Sequence, residues 1–173
     1  ELDTDEENKR GQMTALLTDR AELLRRLTLS LQILKSQPEV DVERTAAIGF
    51  CFGGLCVLDL ARSGEELAGV VSFHGLLAAP ETTGQAINAR VLVLHGWDDP
   101  FAPPEGVVAL GAEMSAAGAD WQLHAYGNTM HAFTNPQAEV HWDDPLAQRV
   151  QKVIDDRIAP SLAGHGGWVE LVG

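Results

Sequence analysis

Short apolar runs alternate with helical patterns through the middle of this sequence. The apolar runs lie at 45–50, 69–73, 90–94 and 120–126, and helical patterns lie at 54–61, 104–117 and 145–158. Strands that alternate with helices form a mostly parallel sheet with helices packed on its faces. The sequence therefore predicts an α/β fold, in which one layered unit spans about residues 1–150.

Leucines at helical spacing come before the first of these strands. At about 3.6 residues per turn they fall on one stripe, whose members are Leu16, Leu17, Leu23, Leu24, Leu27, Leu31 and Leu34. Pro38 is expected to end this pattern, because proline disfavours helix in the residue before it. One amphipathic helix is therefore predicted ahead of the strand at 45–50.

Composition and charge count against several classes of protein. Hydrophobic residues make up 45% of the chain and charged residues 21%, which is typical of a packed chain and not of a disordered one. No run approaches the 18 or so apolar residues that a bilayer span needs. The net charge of -13 repels phosphate backbones, so we expect neither a nucleic-acid partner nor a membrane partner.

The chain's start and its cysteines bear on where the protein works. The first residues are acidic, whereas a secretory signal is basic and then apolar. Two cysteines, Cys51 and Cys56, are too few for a disulfide framework. We therefore expect a cytoplasmic protein.

The most specific local pattern is Gly49-Phe50-Cys51-Phe52-Gly53, which follows a strand pattern and opens a helix. It has the G-x-nucleophile-x-G form of a nucleophile elbow, with cysteine in the usual serine position. Glycines are expected on both sides of the nucleophile because a Cβ there would meet neighbouring backbone. A helix N-terminus favours thiolate, and the backbone N–H of Phe52 would point toward a developing oxyanion. In the alternative interpretation, Cys51 is only a small buried residue of a glycine-rich turn.

The loop at 95–103 offers the acid that an elbow enzyme carries after its nucleophile. It follows the strand at 90–94, at the carboxyl edge of the predicted sheet, where ligand chemistry collects in open α/β folds. Asp99 lies immediately before a proline that stiffens the turn, whereas Asp98 is suited to cap the turn through its own backbone. We therefore favour Asp99 over Asp98, in keeping with the H-G-x-x-D-P form.

The loop at 127–133 offers a histidine, His131, 32 residues after Asp99. A lone histidine is more often structural than catalytic, so chain order has to decide. His131 follows the last strand with a nucleophile and an acid before it, as an elbow enzyme requires. The others are His74 and His95 at strand ends beside glycine, where we expect them to pack near the site, His124 in a strand pattern, and His141 and His165 in polar stretches.

Three motifs follow one another in this order: Gly49-Phe50-Cys51-Phe52-Gly53-Gly54, His95-Gly96-Trp97-Asp98-Asp99-Pro100-Phe101-Ala102-Pro103 and His131-Ala132-Phe133-Thr134-Asn135-Pro136. Together they resemble the dienelactone hydrolase family from about residue 10 to residue 140. Members of that family are α/β-hydrolases of three-layer type that open lactones or cleave related esters with a Cys-Asp-His triad.

The resemblance implies a role for each matching residue. Cys51 is expected to be the nucleophile, His131 the base, and Asp99 the group that orients the imidazole. A small ester or lactone is the implied substrate, and neither a metal nor an organic cofactor is implied.

Two alternatives to an ester hydrolase remain open from the sequence. The first is a cysteine metal site, but residues five apart on a helix diverge by roughly 140°, so Cys51 and Cys56 would not converge on an ion. Cys56 is expected in the core instead. The second alternative is a non-catalytic fragment or interaction module that keeps the hydrolase scaffold.

The segment before Cys51 departs from the family pattern. Fifty residues precede Cys51, and several strands do not fit there, since each βαβ unit needs roughly 30 residues. We expect the N-terminal strands and the second oxyanion donor to be missing, either because the chain is the C-terminal portion of a longer protein or because a partner chain supplies them. The strand at 45–50 would then form an open edge through which copies associate. Loss of activity is one expected consequence of such a truncation.

Residues 151–173 are expected to form a separate helix and tail of uncertain affiliation. Residues 151–172 are weakly similar to the opening of NifU-type iron–sulfur scaffold domains, but the chain has no C-x-x-C there to hold a cluster. An amphipathic helix followed by a frayed terminus is the simpler interpretation.

Overall fold

The computed structural model describes residues 6–81 and 86–136 of the chain. The helices are α1 (Glu6–Thr18), α2 (Arg20–Lys35), α3 (Phe52–Arg62) and α4 (Pro104–Ala116), and a single 3₁₀ turn spans Val42–Arg44. The strands are β1 (Ala46–Phe50), β2 (Gly69–Phe73), β3 (Arg90–Gly96) and β4 (Trp121–Tyr126).

The four strands pair in parallel in the order β1-β2-β3-β4. Phe50 pairs with Phe73 and Phe73 with Leu94, so the carboxyl ends of these strands share one edge. Gly96 pairs with Tyr126 at the same edge. A parallel sheet with helices confirms the predicted α/β class. In the described sheet β1 is an edge strand, and association of copies through it stays a prediction.

Helices α3 and α4 cover one face of the sheet. Apolar side chains from both helices, and from the residues of β2, β3 and β4 that face these helices, form one core. Burying them supplies most of the driving force for folding. Its most buried members are Leu58, Ala61, Val70, Ala89, Val91, Val93, Leu110 and Met114. Phe73, Leu94 and Phe133 form a smaller cluster on the other face.

A buried ion-pair network fixes the elbow helix α3 to its neighbours. Asp59 of α3 accepts two hydrogen bonds from Arg20 of α2, at 2.7 and 2.6 Å. Arg62 of α3 donates to both Glu113 oxygens of α4 at 2.8 Å and to Asp59 at 3.1 Å. Each buried charge therefore has a partner, as burial of charge requires.

The N-terminal leucine pattern forms two helices, and the prediction of one continuous helix was wrong. Helix α1 ends at Thr18, and the Asp19 side chain then caps α2 by accepting a hydrogen bond from the Glu22 N–H at 2.9 Å. Leu23 and Leu31 are buried, but Leu34 is 45% exposed, so the stripe does not continue to its end. Helix α2 ends at Lys35, ahead of Pro38 as expected.

Strand β3 runs two residues longer than predicted, because it pairs with β4 as far as Gly96. His95 therefore belongs to the strand and not to the loop after it. The predicted helix at 145–158, His141, His165 and the region 151–173 lie outside the described residues. Within the described ranges, no helix is both long enough and apolar enough to cross a membrane.

Candidate active site

Cys51 occupies a strained turn between β1 and α3. Its backbone has φ 52° and ψ -119°, a conformation that costs a non-glycine residue about 1–3 kcal/mol. The Cys51 N–H donates to the Phe73 carbonyl at 3.1 Å, and the Cys51 carbonyl accepts from the Gly54 N–H at 3.0 Å. These bonds hold the sulfur above the carboxyl edge of the sheet, at the N-terminus of α3.

Of the two glycines that flank Cys51, Gly49 has the predicted role and Gly53 does not. A Cβ on Gly49 would overlap the Gly53 carbonyl, as expected. A Cβ on Gly53, however, would meet no atom within 4 Å, so the expected collision there was wrong. Gly54 is the second constrained position, since its Cβ would lie 2.6 Å from the Gly75 Cα and from the Ser72 Oγ. The tight approach is thus between α3 and the end of β2.

Three predicted side chains meet at this edge. The His131 Nε2 lies 3.0 Å from the Cys51 Sγ, and the His131 Nδ1 lies 2.7 Å from the Asp99 Oδ2. Asp99 is 1% exposed, and its Oδ1 accepts from the Phe101 N–H at 2.9 Å. Asp98 is exposed and takes no part in this chain of hydrogen bonds.

The electrostatics favour a charged pair. The hydrogen bond from His131 lowers the pKa of Cys51, helped by the His131 charge and the Phe52 N–H, although burial and Asp99 act against this. Burial disfavours the charged form of His131, but hydrogen bonds to Asp99 and Cys51, together with their charges, raise its pKa to about 9. Burial likewise opposes ionisation of Asp99, and its bonds to His131 and to the Phe101 N–H outweigh this and lower its pKa. A thiolate beside an imidazolium is a reactive nucleophile with its own proton donor.

Aromatic rings surround His131. The Phe101 ring is 65% exposed and lies edge-on to the His131 ring, with 5.0 Å between centroids. A cavity of about 350 Å³ opens beside Phe101 and is also lined by Leu77, Ala102 and Pro103. Its lining also includes the Glu113 carboxylate and none of Cys51, Asp99 and His131, so the cavity adjoins the site only through Phe101.

His74 and His95 lie near the site, where they were expected. His74 is 5.1 Å from His131 between ring centroids. His95 is fully buried, and burial lowers its pKa. Burial lowers the pKa of His74 as well, so both side chains favour the neutral imidazole.

Cys56 lies on the buried side of α3, packed with Leu23 and Leu55. Burial raises the pKa of its thiol to about 11. In the part of the chain that the structure describes, no group of three or more His, Cys, Asp or Glu side chains is arranged to hold a metal ion.

Sequence reasoning missed two residues that contact the histidines of the site, Phe101 and Thr134. Phe101 covers the His131 ring, and the Thr134 Oγ1 lies 2.8 Å from the His74 Nε2. Both belong to the motifs that carried the resemblance, but spacing along the chain does not show which side chain a loop turns inward.

Comparison with known proteins gives three findings on this chain. The model of the dienelactone hydrolase family matches residues 1–156. An uncharacterised protein of Caenorhabditis elegans is 38% identical over 116 residues, which cover 65% of this chain and 73% of that protein. Esterase YpfH of Escherichia coli is 25% identical over 169 residues, which cover 96% of this chain and 69% of the esterase.

Solved structures agree with these sequence matches. A dienelactone hydrolase-like promiscuous phosphotriesterase from metagenomic libraries superposes with a TM-score of 0.75 at 38% identity. The match covers 89% of this chain and 67% of that one. Because the family model matches most of the chain, the chain belongs to the dienelactone hydrolase family, which is a family of hydrolases.

Proposed function

We propose that this chain hydrolyses carboxylic esters or lactones of small molecules through a covalent intermediate on Cys51. The observation that carries the proposal is the unbroken set of contacts from Cys51 Sγ to His131 Nε2 at 3.0 Å and from His131 Nδ1 to Asp99 Oδ2 at 2.7 Å. In this proposal Cys51 is the nucleophile, His131 the acid–base group, and Asp99 the residue that orients and stabilises the imidazolium.

In the first half of the reaction, the Cys51 thiolate attacks the carbonyl carbon and forms a tetrahedral intermediate. The negative oxygen accepts a hydrogen bond from the Phe52 N–H, at the start of α3. The intermediate collapses, the C–O bond breaks, and the leaving alkoxide takes the proton from His131. An ester loses its alcohol at this point, whereas a lactone keeps it as the far end of the opened chain.

In the second half, neutral His131 accepts a proton from water as the water attacks the thioester carbon. The second tetrahedral intermediate expels the Cys51 thiolate and releases a carboxylic acid. His131 is again an imidazolium beside a thiolate, which is the starting state. Water is the second reactant, and the proposed reaction uses no cofactor.

Hydrolysis of 4-nitrophenyl acetate and of dihydrocoumarin, an aryl lactone, tests the proposal. Cys51→Ala should abolish turnover of both, whereas Cys56→Ala, the matched control on the same segment, should keep most of it. Equal loss in the two variants would contradict the proposal and point to a structural role for the pair. No turnover by the unaltered chain would support the alternative of a non-catalytic module.

A further inference from the structure

His74 occupies an unusual position at the end of β2. Its backbone has φ 37°, a left-handed conformation that is costly for a non-glycine residue. The His74 N–H donates to the Leu94 carbonyl of β3 at 2.8 Å, and the side chain is 4% exposed. The fold therefore bears a cost to place a buried imidazole at this point.

The His74 side chain contacts the turn that carries His131 in two ways. Its ring lies edge-on to the His131 ring, with 5.1 Å between centroids and 70° between planes. Its Nε2 lies 2.8 Å from the hydroxyl of Thr134, three residues after His131. Between them Ala132 has φ 59°, so this turn is itself strained and needs contacts from outside to hold it.

Surrounding groups keep His74 uncharged. Burial, and then the charge of His131, lower its pKa to about 4, while Asp99 acts weakly in the opposite sense. In the charged form both ring nitrogens carry a proton, and Nδ1 is buried with no hydrogen-bond partner among the described residues. His74 is therefore neutral at the pH at which His131 is a cation.

We propose that His74 is a positioning residue for His131. Through its hydrogen bond to Thr134 it anchors the His131 turn, and its neutral ring holds the imidazole between Asp99 and Cys51. The proposal rests on the proposed function, in which His131 acts on Cys51. It predicts that loss of the His74–Thr134 bond weakens the contact between His131 and the thiolate.

Thiol titration tests this without depending on ester turnover. In a Cys56→Ala background Cys51 is the sole cysteine, since the chain has two. The rate of alkylation by iodoacetamide against pH then reports the pKa of Cys51 alone. Thr134→Val removes the hydroxyl at nearly constant volume. Thr129→Val is the matched control, because Thr129 is equally buried in the same loop and its hydroxyl donates to the Gly127 carbonyl instead.

Thr134→Val should raise the pKa of Cys51 by about one unit, a roughly tenfold loss of alkylation rate below that pKa, and should lower kcat more than it changes KM. His74→Phe keeps the ring contact and loses the bond, so it should act similarly, and the double variant should be no worse than either single one. Thr129→Val should leave the thiol pKa unchanged.

The proposal is overturned if folded Thr134→Val titrates like its parent, or if Thr129→Val shifts the pKa equally. Thermal unfolding establishes which variants are folded, and His74→Gln, which retains a group able to bond Thr134, gives a milder second variant. A low thiol pKa that depends on Thr134, in a chain that hydrolyses no ester, would support the positioning role while refuting the proposed function.

Discussion

The two cysteines of this chain lie five residues apart, yet their surroundings act on them in opposite directions. Cys51 is at the strained turn before α3, where the His131 Nε2 is 3.0 Å from its sulfur and lowers its pKa. Cys56 is one and a half turns along the same helix, packed with leucines, and burial raises its pKa to about 11. Burial disfavours the thiolate at both positions, and the Asp59 charge adds to this at Cys56, whereas at Cys51 the positioned imidazole outweighs burial.

Replacing His131 should break this contrast with the largest effect. His131→Gln removes both the cation beside Cys51 and the proton donor for the leaving group. We expect kcat to fall by about 10³-fold or more and the pKa of Cys51 to rise toward that of Cys56. Ester hydrolysis and thiol titration measure the two effects. His124→Gln, at an exposed position on β4, is the matched control, and a loss as large in that variant would contradict the assignment.

Alkylation of the two thiols should measure the contrast directly. At pH 7 a thiol with a pKa near 11 is thiolate in about one molecule in 10⁴. An ordinary cysteine is thiolate in about one molecule in 30, and the pKa of Cys51 is lowered from the ordinary value, so its thiolate fraction is larger still. Iodoacetamide should therefore modify Cys51 at least ~100-fold faster than Cys56. Rates for the single-cysteine variants Cys56→Ala and Cys51→Ala give the ratio. Similar rates would mean that His131 does not activate the thiol.

The pH dependence of hydrolysis should follow the same pair. Because the pKa of His131 is raised, its proton stays on up to about pH 9, and above that pH the leaving group has no donor. The value of kcat/KM should therefore fall on the alkaline side near pH 9, and on the acid side as Cys51 takes up a proton. Asp99→Asn should move the alkaline limb to lower pH, because Asp99 raises the pKa of His131. An unmoved limb would contradict this cause.

The glycines between the two cysteines should give the smallest effect, on stability. Gly54→Ala places a Cβ 2.6 Å from the Gly75 backbone and should destabilise the fold by about 1–3 kcal/mol. Gly53→Ala meets nothing within 4 Å and should stabilise α3 by roughly 0.5–1 kcal/mol. Denaturant unfolding of both variants measures the difference. Equal destabilisation would show that the turn, and not the contact between α3 and β2, sets the requirement for glycine.

The sequence was most informative where a local pattern decides the structure. Strand β2 was predicted to the residue, because Val70, Val71 and Phe73 form a short β-like run that begins after Gly69 and is followed by His74 and Gly75. The break between α1 and α2 was missed although Asp19 and Glu22 have the spacing of a helix cap, since the leucine pattern continues across it.

The candidate site was predictable only in part, for a physical reason. Topology places Cys51, Asp99 and His131 at one edge of a parallel sheet, so their order along the chain indicates that they meet. Contacts such as His74 with Thr134, 60 residues apart, depend on how two loops turn, and no periodicity encodes that. The same holds for Gly54, whose constraint comes from another strand.

Trapping of the acylated chain tests the central claim most directly. 4-Nitrophenyl trimethylacetate has a hindered acyl group that slows deacylation, so an acid quench early in the reaction should preserve the thioester for mass spectrometry. We predict one trimethylacetyl group on Cys51, absent from Cys51→Ala and present in Cys56→Ala. Release of 4-nitrophenolate with no acyl group on Cys51, or at an equal rate in Cys51→Ala, would contradict covalent catalysis at this residue.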